Sequence, residues 1–181
     1  LVEEAVKGCD AVIHLACISN DPSADLNPDL TKSINYDCFP HFVRACKKFD
    51  MPRLIFASSS SVYGVSDDPQ VREDHDRIPI TGYNKYKAMC EDVLANEAGS
   101  GFSYVSVRPA TICGFSPRLR LDLSVNILTT HAFMRNEITV FGGSQYRPNL
   151  HIQDITDLYL QLIEEPEKKI SNQVYNAGYQ N

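Results

Sequence analysis

Two short apolar runs constrain this chain more than any other feature. Asp10-Ala-Val-Ile-His-Leu-Ala-Cys17 ends in the polar Ser19-Asn-Asp-Pro22, and Arg53-Leu-Ile-Phe-Ala57 ends in Ser58-Ser-Ser-Ser61. Apolar runs of this length fit strands covered on both faces, as in a parallel sheet. A polar loop follows the first run to about Pro28. From residue 29 to 49 the spacing of Leu30, Ile34, Phe39, Phe42, Val43 and Cys46 is helical, with Pro40 kinking or dividing the helix. Strand, helix and strand in this order make a right-handed crossover unit.

The remainder continues the alternation. Residues 65–80 are polar and Pro-containing, a long loop of the kind that is more often functional than idle. Thr81 is a predicted cap for a helix over 82–96, stopped by Gly99-Ser-Gly101. Residues 102–107 alternate as a strand and run into Arg108-Pro109, and a second helix is predicted over about 121–134. Ile138-Thr-Val-Phe141 reads as a short strand closed by Gly142-Gly143, Asp154 as the cap of a helix to about 163, and Val174-Tyr-Asn-Ala177 as the start of a last strand. The pattern predicts an α/β fold with a mostly parallel sheet.

Composition removes several functional classes. With 43% hydrophobic and 22% charged residues the 181-residue chain has a globular profile, not a collagen-like, disordered or membrane one. Its net charge of −6, with scattered Lys and Arg, argues against nucleic acid as a partner. No apolar stretch approaches the roughly 20 residues of a membrane span, and residues 1–20 lack a basic segment followed by an apolar one, so neither anchor nor signal peptide is expected. Cysteines 9, 17, 38, 46, 90 and 113 form no CxxC pair and are read as reduced thiols of a cytoplasmic protein. No metal-ligand spacing is found, and His151 is read as structural.

The chemistry-bearing pattern is Tyr83-Asn-Lys-Tyr-Lys87, which puts a phenol and an ammonium on one helix face, where Lys87 can stabilise the phenolate of Tyr83. The plain alternative is an exposed tyrosine in a charged face. The serine cluster 58–61 follows a buried strand, and in parallel sheets the carboxyl ends of strands are where ligands bind. Its alternative is a serine-rich turn that satisfies backbone groups.

These segments, with Arg147-x-x-x-His151-x-x-Asp154, resemble in order the motifs of the extended short-chain dehydrogenases/reductases. The chain looks like a nucleotide-sugar epimerase or dehydratase of that family, whose familiar members are the UDP-galactose 4-epimerases. The resemblance covers essentially the whole chain. It implies a Rossmann-like doubly wound parallel sheet with part of a smaller C-terminal substrate lobe. Residues 1–113 are then the second half of the dinucleotide-binding domain, and 114–181 are substrate-lobe segments interleaved with a returning helix at about 154–164.

It further implies that Tyr83 is the general base, with Lys87 as its electrostatic partner and a ligand of the nicotinamide ribose. Ser59, four residues before the tyrosine of Val62-Tyr-Gly64, would hydrogen-bond the reacting sugar hydroxyl. Cofactor contacts map onto His14, Leu15, Ala16 and Asn35, and substrate contacts onto Thr111, Asn126, Ile127, Phe141 and Arg147, whose guanidinium suits a diphosphate. The cofactor is NAD, with NADP left open. The expected reaction is hydride transfer at a nucleotide-linked sugar with 4-epimerisation as outcome, alongside a 4-keto-sugar reductase, a C4 dehydrogenase or a non-catalytic dinucleotide sensor as alternatives. A homodimer built on the two long helices is also implied.

The departures carry weight too. Ser60 and Ser61 stand where family dehydratases carry an acidic pair, which disfavours dehydration. Thr111 replaces the Asn of the galactose epimerases, and Tyr36-Asp-Cys-Phe39 replaces a usual Gly-Thr. The Gly-rich phosphate turn, with its acidic residue about 20 positions on, is absent from these residues, so the chain is expected to be an internal part of a longer protein, truncated at both ends.

Overall fold

Odd and even positions of a strand face opposite sides of a sheet, and here both sides are covered. In a computed structural model describing residues 1–99 and 101–179, Leu54 and Phe56 point into one apolar layer and Ile55 into the other. The elements run α1 (Val2–Val6), β1 (Val12–His14), α2 (Asp21–Leu26), α3 (Pro28–Lys32), a π-helical turn (Ser33–Asp37), α4 (Phe39–Lys48), β2 (Leu54–Ala57) and a 3-10 turn (Ser60–Tyr63). There follow α5 (Gly82–Glu97), β3 (Tyr104–Pro109), β4 (Thr111–Cys113), α6 (Ser124–Arg135), β5 (Asn149–His151), α7 (Ile152–Glu164), α8 (Glu167–Ile170) and β6 (Gln173–Ala177).

The main sheet has the order β1-β2-β3-β6 with every pair parallel. Phe39, Val43 and Cys46 of α4, with Cys90 and Leu94 of α5, pack against Leu54 and Phe56 on one face. Ile155 and Leu162 of α7 pack with Ile55, Val105 and Val107 on the other. Helices on both faces of a parallel sheet are the doubly wound α/β arrangement expected from the alternation. A second, two-stranded parallel pair joins β4 to β5 with Thr111 opposite Asn149.

Several local expectations are corrected. Pro40 does divide the predicted 29–49 helix: α3, the π turn and α4 are separate pieces, with Pro40 in the first turn of α4, where its missing N–H costs nothing. The predicted loop before Pro28 holds α2, whose cap is Asn20, accepting from the Ser23 N–H at 2.7 Å. The expected strand over 102–107 is β3, with Tyr104 to Arg108 all buried, Ser106 completely, because α5 and α7 cover both faces. Ile138 to Phe141 form no strand; they have no sheet partner, and Ile138 and Phe141 are exposed.

The cap of α7 is His151, whose Nδ1 accepts from the Gln153 N–H at 3.2 Å, while Asp154 sits in the first turn. Thr81 does cap α5, accepting from the Asn84 N–H at 3.3 Å. Of the predicted stop after that helix, Ser100 lies outside the described residues; Gly99 and Gly101 both take left-handed backbone angles. Among the described residues no helix is long and apolar enough to cross a membrane.

Candidate active site

β1 and β2 are parallel neighbours, so their carboxyl ends lie side by side, and the first turns of α5 reach the end of β2 through Lys87. At the end of β1, the His14 ring is packed among Phe39, Phe42 and Phe56, with centroids 5.1, 4.7 and 5.9 Å away. Its Nδ1 is buried without a hydrogen-bond partner. Beyond it the chain turns outward, so that Leu15 and Ala16 are exposed.

Asn35 holds this outward turn in place. Its Oδ1 accepts from the Ile18 N–H at 2.8 Å, and its Nδ2 donates to the Ile18 carbonyl at 3.0 Å. The residue is buried inside the π turn, and the Cys90 thiol donates to its backbone carbonyl at 3.2 Å. A π turn inserts one residue into the helical register and is common at functional sites; here it aims a carboxamide across the top of β1.

At the end of β2, Ser59 is extended, and its hydroxyl accepts from the Ser61 N–H at 3.2 Å, starting the 3-10 turn. That turn closes at Gly64, whose φ of 72° and contact with the Ile78 carbonyl leave no room for a Cβ. Tyr83 and Lys87 lie one turn apart on α5. The Lys87 ammonium donates to the Ala57 carbonyl at 2.5 Å and lies 5.0 Å from the Phe56 ring centroid and 5.8 Å from that of Tyr83.

Burial dominates the electrostatics. It raises the Tyr83 hydroxyl above its ordinary range, with Cys17 and Asp21 adding to the effect and Arg120 opposing it. It lowers Lys87, against the pull of Cys17, Cys90 and Glu91. The Lys87 ammonium is desolvated and bonded to Ala57, and burial leads the shift of Tyr83. Arg120 is the residue that sequence reading missed. It lies 37 positions from Tyr83, and no local pattern signals their approach.

Burial, then the Lys87 charge, lowers His14 from an ordinary 6.5 to about 4. The unfolded imidazole takes up a proton between those values and the folded one does not. Its contribution to stability is therefore complete above about pH 6.5 and is lost as the pH falls toward 4. Unfolding free energy measured over that window is expected to fall with pH by up to about 1.4 kcal/mol per unit from this residue, and His14→Gln removes that component.

The substrate-side positions are more dispersed. Thr111 is half-buried in β4. Asn126 of α6 accepts from the Gly114 N–H at 3.1 Å and donates to the Arg120 carbonyl at 2.9 Å, so it anchors the segment that brings Arg120 toward Tyr83. Ile127 follows it, half-buried, while Phe141 and Arg147 lie on the exposed stretch between α6 and β5. Among the described residues no group of three or more His, Cys, Asp or Glu side chains is arranged to hold a metal ion.

Comparison with known proteins agrees with this fold. The chain is similar to UDP-N-acetylglucosamine 4-epimerase from Methanobrevibacter ruminantium M1, solved with UDP-N-acetylmuramic acid, at 26% identity and a TM-score of 0.83 over 98% of this chain and 57% of that one. It is similar to UDP-glucuronic acid 4-epimerase from Bacillus cereus, solved with UDP-glucuronic acid and NAD, at 26% identity and a TM-score of 0.83, covering 98% and 56%. An NAD-dependent NDP-hexosamine 5,6-dehydratase involved in tunicamycin biosynthesis matches at 26% identity and a TM-score of 0.84, covering 99% and 58%. The chain thus spans somewhat more than half the length of these relatives. A family model described as NAD dependent epimerase/dehydratase matches residues 1–178, nearly the full length, and the chain belongs to that family.

Proposed function

We propose that the protein carrying this chain is an NAD-dependent enzyme that oxidises a hydroxyl of a nucleotide-linked sugar and returns the hydride to give the 4-epimer. The observation that carries this reading is the pairing of Tyr83 and Lys87 on one face of α5, with Lys87 bonded to the strand end that leads into Ser59. The solved UDP-glucuronic acid 4-epimerase with UDP-glucuronic acid and NAD bound supports it.

The residues present fit the nicotinamide end of a dinucleotide. His14 offers a buried nitrogen that lacks a partner, and Leu15 and Ala16 present a short apolar edge. Lys87 gives one N–H to Ala57 and also interacts with the Cys17 thiol, and a remaining donor is suited to a ribose hydroxyl. Asn35 keeps the loop behind these groups in register. The Gly-rich turn that holds the pyrophosphate in such sites is not among these 181 residues.

When bound, NAD supplies the hydride acceptor. Ser59 Oγ hydrogen-bonds the sugar hydroxyl and fixes its direction. In its ionised form Tyr83 Oη would take the hydroxyl proton as the carbon is oxidised, and would give it back when the ketone is reduced on the other face. Asn126 holds the Arg120 segment, so a second cation faces the phenol and favours its ionised form. Thr111, Ile127, Phe141 and Arg147 complete the substrate contacts, with Arg147 assigned to the diphosphate. Ser60 and Ser61, in place of acidic residues, favour epimerisation over loss of water. The six cysteines are free, which suits a reducing, cytoplasmic compartment, and a homodimer is the proposed assembly.

The test is incubation of the intact protein with NAD and a panel of uridine-, thymidine-, guanosine- and cytidine-linked hexoses, with sugars resolved by chromatography and the cofactor followed by absorbance. The expected result is interconversion of one pair of 4-epimers without net reduction of NAD. A steady build-up of NADH would instead assign a C4 dehydrogenase, and loss of a water mass from the sugar would overturn the preference against dehydration.

A further inference from the structure

Glu91 stands one turn beyond Lys87 on α5, and its carboxylate is 5% exposed. Its Oε1 accepts from the Ser58 hydroxyl and, at 3.0 Å, from Arg108 Nε. Its Oε2 accepts from Arg108 Nη2 at 2.6 Å and more weakly from Arg77 at 3.4 Å. Arg108, near the end of β3 and 4% exposed, also donates from Nη1 to the Tyr63 hydroxyl at 2.5 Å and to the Glu73 carbonyl at 3.0 Å. The Tyr63 hydroxyl in turn donates to Asn176 Oδ1 at 2.7 Å, and the Asn176 N–H donates to the Glu73 carboxylate at 2.7 Å.

The serine turn is therefore gripped at three points: at Ala57 by Lys87, at Ser58 by Glu91 and at Tyr63 by Arg108. Two of these grips come from one face of α5, the helix that also carries Tyr83. The chemistry of the proposed function uses neither Glu91 nor Arg108. A buried ion pair of this kind is weak support for stability, since apolar side chains of similar volume often do as well. What it does supply is direction, because a guanidinium forked onto a carboxylate fixes both groups in one plane.

We propose that Glu91, held by Arg108, is a positioning residue: it locks the serine turn to the face of α5 that bears Tyr83 and Lys87, so that Ser59 and Tyr83 meet the same sugar hydroxyl. The proposal rests on the functional reading above. A misplacement of about 1 Å between reacting groups can cost on the order of 10²-fold in rate, so loosening this joint lowers kcat while leaving the distant nucleotide contacts, and hence KM, in place.

The experiment compares the intact wild-type protein with Ser58→Ala and Glu91→Gln, measuring kcat, KM, dinucleotide content and thermal midpoint on the reactive sugar nucleotide. Ser58→Ala removes only the hydroxyl between Glu91 and the turn. It is expected to lower kcat by about 10- to 100-fold with KM within about twofold and dinucleotide content unchanged. Glu91→Gln is expected to lose at least as much kcat together with thermal stability, because it leaves the Arg108 charge buried. If it fails to fold, Ser58→Ala still decides. An active wild type with Ser58→Ala at wild-type kcat, or a loss confined to KM, overturns the role of Glu91 alone. A folded, dinucleotide-loaded wild type that turns over no nucleotide sugar overturns the functional reading and this proposal with it.

Discussion

Replacing Tyr83 by Phe is expected to reduce turnover of the nucleotide sugar by about 10²–10⁴-fold, the range that a positioned acid or base contributes. The substitution removes one oxygen and keeps the ring that faces Lys87 at 5.8 Å, so the packing of α5 is preserved. Dinucleotide binding and the thermal midpoint should stay near wild type. A Tyr83→Phe enzyme with full turnover would remove the general base from the mechanism. The same pair of proteins tests the electrostatics. Burial holds the phenol above its ordinary range, so difference absorbance titration against the Tyr83→Phe variant, without added dinucleotide, should show no Tyr83 phenolate below about pH 10. A phenolate appearing near neutrality without cofactor would mean that Lys87 and Arg120 outweigh burial after all.

The parts of the fold that sequence made legible are those specified locally. Apolar runs at 10–17 and 53–57 became β1 and β2, and the Thr81 cap and Gly82 start of α5 follow from side-chain chemistry within four residues. What escaped is set by distant partners. The pairing of β4 with β5 joins residues 38 positions apart, and three-residue strands carry too little periodicity to announce themselves. Ile138 to Phe141 show the converse: β-branched and aromatic residues without a neighbouring strand stay unpaired. The burial of β3 on both faces likewise depends on α5 and α7 closing over the sheet, which the 102–107 pattern does not encode.

The site divides in the same way. Tyr83 and Lys87 are legible because helical spacing alone puts them on one face, and the serine cluster because it follows a buried strand directly, with Ser59 picked out of it by the resemblance. Asn35 was legible as a position through resemblance, yet its bonds to Ile18 depend on a π turn that no residue pattern here reveals. Arg120 and Glu91 were missed for a common reason. Each matters through a residue far away in sequence, Tyr83 in one case and Arg108 with Ser58 in the other.

Arg108→Met is expected to be the most destabilising single change in the chain. The guanidinium is the common partner of Glu91, Tyr63 and the Glu73 carbonyl, all fixed around a side chain that is 5% exposed. Removing one member of a buried pair strands the other charge, at a cost of about 3–5 kcal/mol. For a domain of this size that corresponds to a fall of roughly 6–20 °C in thermal midpoint. Adding Glu91→Leu to Arg108→Met should recover much of the loss, since the stranded carboxylate is gone and apolar side chains of similar reach fill the space. Turnover should not recover with it, because the tie from Ser58 to α5 is then absent. Calorimetry and steady-state kinetics on the single and double variants separate the two quantities. A double variant that regained both would make the pair an ordinary structural ion pair, whereas regained stability with low kcat would show that the sequence keeps two buried charges for the placement of Ser59 against Tyr83.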